Sequence, residues 1–182
     1  MLKDDIRKKY KSIRSNIVNK ELKDDIIFTN LINNIHYKRT NIIACYLSFN
    51  NEVDTSKIIK QSILKNKIIV TPKIKGNDLI FTYFDGDYLK LIKNKYGIYE
   101  VNDKEEQIID NDLINLIVIP SICCNTFKYR IGYGKGYYDR YLKNKNMIKI
   151  SLCYDELINK VPFQDENDVK MDFIITDKRI IN

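Results

Sequence analysis

The spacing of hydrophobic and polar positions changes several times along the chain, and each change marks an element. Leu2, Ile6, Tyr10, Ile13 and Ile17 recur at the steps that place side chains on one face of a helix. Lys3, Arg7, Lys11 and Arg14 border that stripe, because steps of four and three keep them on one side. A second helix is predicted over Glu21 to Ile35. Ile42 to Phe49 then reads as a strand leading into Asn50-Asn51-Glu52-Val53, with Asp54 as N-cap of a helix running to about Leu64. Lys67 to Thr71 and Leu79 to Phe84 are the next strands, joined through Pro72 and a turn at Gly76-Asn77-Asp78. Leu79, Phe81 and Tyr83 alternate onto one side, either as core or as a wall for a flat aromatic ligand. From Asp85 to Asn111 the pattern is polar and irregular, with a turn at Gly97. Leu116 to Pro120, Met147 to Tyr154 and Asp172 to Thr176 are further strands.

This alternation of strands and helices, without repeats or a linker, predicts an α/β fold forming one domain over residues 1–182. The expected architecture is a mostly parallel open sheet with helices on both faces, a Rossmann-like three-layer arrangement.

The densest chemistry lies in Arg130-Ile-Gly-Tyr-Gly-Lys-Gly-Tyr-Tyr-Asp-Arg-Tyr-Leu142. Gly132, Gly134 and Gly136 leave a loop free to approach a ligand closely, and Tyr137 to Lys143 reads as the helix that follows. A strand, a glycine-rich loop and a helix start form an arrangement that binds phosphate through unpaired N–H groups and the helix dipole. Leu116 to Pro120 is expected to supply the strand, Arg130 and Lys135 the positive charge, and Asp139 a carboxylate able to hold a metal. The loop is not a Walker loop, since no Gly-Lys-Ser/Thr closes it, and its glycine spacing is not that of a dinucleotide fingerprint. Glu52 falls at a strand-to-helix junction, where open α/β sheets form their ligand crevice, although a surface loop glutamate gives the same pattern. Val161 to Asp168 is a loop rich in carboxylates: either solvated surface or the source of a carboxylate for a cation shared with Asp139. For the Lys3/Arg7 row, periodicity alone favours a solvated cationic edge over a phosphate contact.

Composition adds bounds rather than answers. The 182 residues suffice to bury a core without disulfides or metal, and 44% hydrophobic with 30% charged residues is ordinary for a globular protein. The net charge of +7 suits a polyanionic ligand, but the abundance of Asn, Lys, Ile and Tyr fits AT-rich codon drift equally well. Cys45, Cys123, Cys124 and Cys153 lack Cys-x-x-Cys spacing and lie in apolar runs, as reduced core thiols do. His36, the single histidine, has no partner spacing and is assigned no chemistry beyond a place near a helix end. No signal peptide or long apolar span is seen, and Asp4 and Asp5 argue against a transit peptide, so a cytoplasmic location is expected.

Arg130 to Asp139, followed by Arg-Tyr-Leu, resembles the signature Arg-Leu-Gly-(Arg/x)-Gly-x-Gly-Tyr-Tyr-Asp of the 5-formyltetrahydrofolate cyclo-ligase family, also called methenyltetrahydrofolate synthetases. Lys3-Asp-Asp-Ile-Arg7 is similar to the family's N-terminal Lys-x-x-x-Arg. Leu47 to Thr55 resembles its glutamate-bearing folate segment, and Val161 to Asp168 its second metal loop. The resemblance implies a ligase of one-carbon folate metabolism that uses ATP and Mg²⁺ to convert 5-formyltetrahydrofolate to 5,10-methenyltetrahydrofolate, releasing ADP and phosphate. It also implies the roles of residues. Lys3, Arg7, Arg130, Gly132, Gly134, Lys135, Gly136, Tyr137 and Tyr138 would hold ATP, and Leu47, Glu52, Tyr133, Gly134, Lys135, Gly136 and Tyr137 would meet the folate. Asp139 and Asp168 would take Mg²⁺, with Lys135 and Arg130 as the catalytic cations. Alanine at Lys135 or Asp139 is expected to stop turnover and leave the fold intact.

The sequence also departs from the family pattern. Tyr133 stands where many members carry a second loop arginine, removing a cation from the phosphate site. Lys128 replaces a glycine, so the turn before the signature is expected to differ. Cys124-Asn125 replaces Phe-Asp, and Glu100-Val101 replaces Glu-Pro. A non-catalytic nucleotide or RNA binder is the alternative class, and an inactive α/β scaffold a third. Against RNA, the loop tyrosines cluster on one loop-helix without an RNA-recognition strand pattern. The expected partners are therefore 5-formyltetrahydrofolate and ATP, with no nucleic acid or membrane, for a monomer.

Overall fold

The computed structural model describes residues 3–182, so Leu2 of the N-terminal stripe lies outside the described residues. Helix α1 (Lys3–Ser15) buries Ile6 and Tyr10 on its apolar face, and with them Arg14. Helix α2 (Lys20–Asn33) stops earlier than its periodicity suggests. Asn34 adopts an extended conformation and caps a separate short helix α3 (Ile35–Arg39) through its side chain and the His36 N–H. His36 packs its ring on Phe173 with centroids 5.1 Å apart.

Strand β1 (Ile42–Cys45) ends four residues before the predicted limit. Tyr46 to Thr55 forms an irregular loop whose Asp54 accepts the Ser56 N–H at 3.1 Å at the start of α4 (Ser56–Leu64). β2 (Ile68–Lys75) and β3 (Asp78–Tyr83) form an antiparallel hairpin, and Pro72 sits within β2 rather than in the connection. A proline is tolerated there because pairing with β1 ends at Val70, leaving no ladder bond on that side to lose.

The stretch expected to be irregular contains a second hairpin, β4 (Leu91–Lys93) with β5 (Tyr99–Val101). Then follow β6 (Leu116–Ile119), β7 (Cys123–Asn125), β8 (Arg130–Ile131), α5 (Tyr137–Leu142), β9 (Ile148–Leu152), β10 (Ile158–Asn159), β11 (Phe173–Ile175) and β12 (Ile180–Ile181).

The main sheet has the order β12-β11-β9-β6-β1-β2-β3. Its inner pairs are parallel and its two edge pairs antiparallel. All four residues of β6 are buried, as in a strand covered on both faces. The expected mostly parallel α/β sheet is therefore present. From β1 the chain builds toward β2 on one side, and β6 then starts the build on the other. Strand order thus reverses between β1 and β6, and the crevice beyond their carboxyl ends is where such sheets bind ligands.

One connection differs from the sequence reading. β6 does not feed the glycine loop directly, because the β7–β8 hairpin comes between them and pairs with β10 in a small sheet of its own. Lys128, in the turn of that hairpin, adopts φ 71, the left-handed conformation open to a glycine without strain. The turn thus keeps a glycine-like shape, at a cost of about 1 kcal/mol to the lysine. Asn125 braces it: its carbonyl oxygen accepts the Phe127 and Tyr129 N–H groups, and its amide donates to Gln164 at 3.0 Å. An aspartate could accept the first two bonds but not donate the third. The four cysteines are free and buried, and no described helix is long and apolar enough to cross a membrane.

Candidate active site

A cavity of about 790 Å³ opens at the switch point. Tyr46, Leu47, Phe49 and Glu52 reach it from the loop after β1, and Pro120 from the end of β6. Lys3 and Arg7 come from α1, the glycine loop and the start of α5 form one side, and Asp165, Asn167 and Asp168 close one end. Each residue singled out from the sequence as ATP-, folate- or metal-binding lines this one cavity.

The glycine loop is shaped by its backbone. Gly134 and Gly136 have φ of 95° and 67°, and Gly136 starts α5. Arg7 lies against the loop, its Nε donating to the Gly132 carbonyl at 3.0 Å. A Cβ at Gly134 would stand 3.2 Å from the Arg7 guanidinium carbon. Gly134→Ala is therefore expected to cost about 1–2 kcal/mol through the left-handed backbone alone. That corresponds to a fall of about 3–6 °C in Tm, readable by a thermal melt.

Arg130 is buried, with Nη2 3.1 Å from the Asp139 Oδ1 and its guanidinium stacked 5.6 Å from the Tyr138 ring centre. Among the described residues its Nε is a buried donor without a partner. Asp139 also accepts the Val169 N–H at 3.4 Å, which ties the start of α5 to the carboxylate loop. Within that loop Asp168 Oδ2 accepts the Lys3 ammonium at 2.5 Å and the Asp165 N–H at 2.8 Å, while Asp165 accepts Lys3 at 2.7 Å. Burial opposes the Lys3 charge, but hydrogen bonds from the ammonium to Asp165 and Asp168 outweigh it and raise its pKa.

Glu52, from the loop after β1, is only 5% exposed. Oε2 accepts the Phe49 N–H at 3.1 Å and Oε1 the Tyr133 hydroxyl at 2.8 Å. Burial raises its pKa, while Phe49, Tyr133, Arg14 and Lys20 act in the other direction.

Other parts of the site were not legible from the sequence. Tyr96, Ile98 and Glu100 of the β4–β5 hairpin line the cavity. The buried Glu100 fastens that hairpin by accepting the Ile74 N–H at 2.9 Å and the Asn94 amide at 2.8 Å. Of the alternating residues in β3, Leu79 lines the cavity, Phe81 is core against Tyr141 and Tyr83 is exposed, so only Leu79 fits the wall reading. Arg14 was visible only as one more cation in a row.

The arrangement combines a glycine loop beside Lys3, Arg7 and Arg130, the carboxylates of Glu52, Glu100, Asp139, Asp165 and Asp168, and a partly apolar chamber. A sequence model of the 5-formyltetrahydrofolate cyclo-ligase family matches residues 1–177. A probable 5-formyltetrahydrofolate cyclo-ligase of Schizosaccharomyces pombe is 29% identical over 161 residues, covering 80% of this chain and 79% of that protein. The 5,10-methenyltetrahydrofolate synthetase of Aquifex aeolicus superposes with a TM-score of 0.85 at 27% identity, covering 99% of this chain and 92% of the other. That of Mycoplasma pneumoniae gives 0.79 at 26% identity, with coverage of 97% and 99%. With its fold, its glycine-loop signature and nearly its whole length in agreement, the chain belongs to the 5-formyltetrahydrofolate cyclo-ligase family.

Proposed function

We propose that this chain closes 5-formyltetrahydrofolate to 5,10-methenyltetrahydrofolate with ATP as co-substrate, releasing ADP and phosphate. The observation that carries this reading is the meeting, in one cavity, of a cationic glycine loop with the buried Glu52 carboxylate, which the loop's own Tyr133 hydroxyl reaches at 2.8 Å. The substrate's N-formyl group is an amide, with a weakly electrophilic carbon and an oxygen that leaves poorly. Moving the γ-phosphoryl group of ATP to that oxygen cures both defects. The neighbouring anilinic N–H then attacks the formyl carbon, and phosphate departs as the ring closes to the amidinium, the nitrogen giving up its proton to the departing phosphate or to water. No side-chain nucleophile is required, so catalysis consists of positioning and of stabilising charge on the moving phosphoryl group.

In this scheme Lys3, Arg7, Arg130 and the loop through Tyr138 hold ATP, and the unpaired Arg130 Nε supports a donor role there. Leu47, Glu52 and the loop from Tyr133 to Tyr137 hold the folate, with Lys135 between the two substrates. Among the described residues no group of three or more His, Cys, Asp or Glu side chains is gathered to hold a metal. Mg²⁺ commonly takes one or two carboxylates with phosphate oxygens and waters, so Asp139 and Asp168 fit that ion as a pair. When bound, it would supply positive charge against the phosphates, and Lys3 and Arg130 are the protein cations that balance the two carboxylates without it. We further propose that residues 1–182 act as one domain, as a cytoplasmic monomer, without nucleic acid or membrane partners.

The test is to mix protein, MgATP and 5-formyltetrahydrofolate and follow the near-ultraviolet absorbance of the methenyl product. ATP-dependent product formation supports the proposal. Retention of RNA with a steep salt dependence and no turnover would favour the non-catalytic binder instead. For Glu52→Gln, folate affinity is expected to fall about tenfold or more while ATP affinity is retained, because a charged acceptor for the pterin N–H groups becomes a half-donor amide. Calorimetric titration with each ligand checks this, and an unchanged folate Kd removes Glu52 from the pocket.

A further inference from the structure

The loop arginine expected in many family members is replaced here by Tyr133, yet the surroundings of Tyr133 are not short of positive charge. Arg14 projects from the last turn of α1 and is buried, its Nη1 donating to the Ser121 carbonyl at 3.1 Å. Its Nη2 donates to the Tyr133 hydroxyl at 2.9 Å, and its guanidinium stands 5.7 Å from the centre of the same ring. The hydroxyl in turn meets Glu52 Oε1 at 2.8 Å.

The direction of this chain of bonds follows from the groups. An arginine only donates, so the Tyr133 oxygen must accept from it, and the single phenolic proton is left to point at Glu52. With the Phe49 N–H on its other oxygen, the Glu52 carboxylate is held by one donor on each side. Each oxygen keeps lone-pair capacity for a ligand. Phe49 and Tyr133 also pack together, centroids 5.8 Å apart, so the ring carrying the hydroxyl is itself braced.

We propose that Arg14, acting through the Tyr133 hydroxyl, is a positioning residue that holds the Glu52 carboxylate in the orientation the pterin ring requires. This rests on the folate reading given above. Arg14 and Tyr133 act as a pair.

Other groups face this carboxylate as well. Lys11 of α1 lies 5.4 Å from the Tyr133 ring centre, Lys20 and Asp24 come from α2, and Tyr46, Tyr138 and Tyr154 surround the loop. Asp24 is bonded to Lys20 and Tyr154, and Asp54 to Ser48 and Ser56, so neither carboxylate meets Glu52 itself. Burial raises the Glu52 pKa, and the Phe49 N–H, the Tyr133 hydroxyl and the nearby charge of Arg14 oppose that rise. Removing the Tyr133 hydroxyl or the Arg14 charge must move the protonation of Glu52 to higher pH, and with it the acid-side loss of folate binding.

The experiment compares wild type, Tyr133→Phe, Arg14→Leu, Arg14→Lys and Glu52→Gln in the absorbance assay. KM for 5-formyltetrahydrofolate and for ATP is measured at several values between roughly pH 5 and 8, with a thermal melt of each protein. Expected for Tyr133→Phe and Arg14→Leu is a folate KM raised about tenfold, ATP KM within about twofold, and the acid limb of folate kcat/KM moved to higher pH. Arg14→Lys should restore part of the loss, and Glu52→Gln should remove the acid limb. If Glu52→Gln weakens folate binding while Tyr133→Phe and Arg14→Leu keep the wild-type KM and acid limb, the inference fails and the functional reading stands. A parallel rise in both KM values with a lowered Tm and no pH shift makes Arg14 a structural staple and likewise overturns it. Absence of wild-type turnover removes both.

Discussion

Lys135→Ala should lower turnover about a thousandfold while leaving the melting temperature nearly unchanged. Lys135 is exposed on the glycine loop and lines the same cavity as Lys3, Arg7, Arg130 and Glu52. Among the described residues, no carboxylate lies within ion-pairing distance of its ammonium. Its carbonyl, by contrast, accepts the Arg140 Nη1 at 2.8 Å. Truncation therefore removes a charge from the cavity without breaking the bond that shapes the loop. An exposed side chain with no packing role is worth within about 0.5 kcal/mol to the fold, or a degree or two in Tm. The same charge aimed at a phosphoryl group in transfer is worth several kcal/mol, because its stabilisation is greatest in the transition state. Single-turnover kinetics with a parallel melt separates the two effects. A variant with near-normal rates would remove Lys135 from the reaction.

Legibility of the structure from the sequence depended on how local the cause of each feature was. The glycine-loop segment is contiguous and compositionally unusual, so its chemistry could be read before any fold was known. The long helices follow from period and the buried strands from short β-branched runs, whereas the strand order, and with it the switch point beyond β1 and β6, appears only in the structure. What escaped was set by tertiary partners. The three-residue strands of the β4–β5 hairpin carry little pattern, and their place over the cavity depends on the Glu100 bond to Ile74. β10 and β12 are two residues each and are extended because of the strands beside them. The break between α2 and α3 rests on one asparagine inside an otherwise helical period. The row Lys3, Arg7, Lys11, Arg14 shows the limit most clearly. One period governs all four, yet Lys11 is exposed, Arg14 is buried, and Lys3 and Arg7 line the cavity. Periodicity places a side chain on a face but does not say what covers it.

Asp139→Ala is expected to abolish measurable turnover and, unlike Lys135→Ala, to destabilise the protein. The structure here revises the expectation from sequence that both alanine variants keep the fold intact. Asp139 is the carboxylate partner of Arg130, whose side chain is 3% exposed and already carries one unpaired buried donor. Removing the carboxylate leaves that guanidinium buried without its counter-charge. Breaking such a pair costs about 2–3 kcal/mol when one member keeps some solvent contact, which lowers Tm by about 5–10 °C. It also frees the Val169 N–H and loosens the tie between α5 and the carboxylate loop. Asp139→Asn separates structure from chemistry, because the amide oxygen still accepts from Arg130 while the negative charge is gone. Its Tm should recover most of the loss, whereas turnover should stay about a hundredfold down and rise as Mg²⁺ is increased, since a neutral amide is a poorer ligand for a hard cation. Magnesium titration of both variants in the absorbance assay, with parallel melts, reads the two effects independently. Wild-type turnover of Asp139→Asn at ordinary Mg²⁺ would confine Asp139 to bracing Arg130 and withdraw it from the metal pair with Asp168.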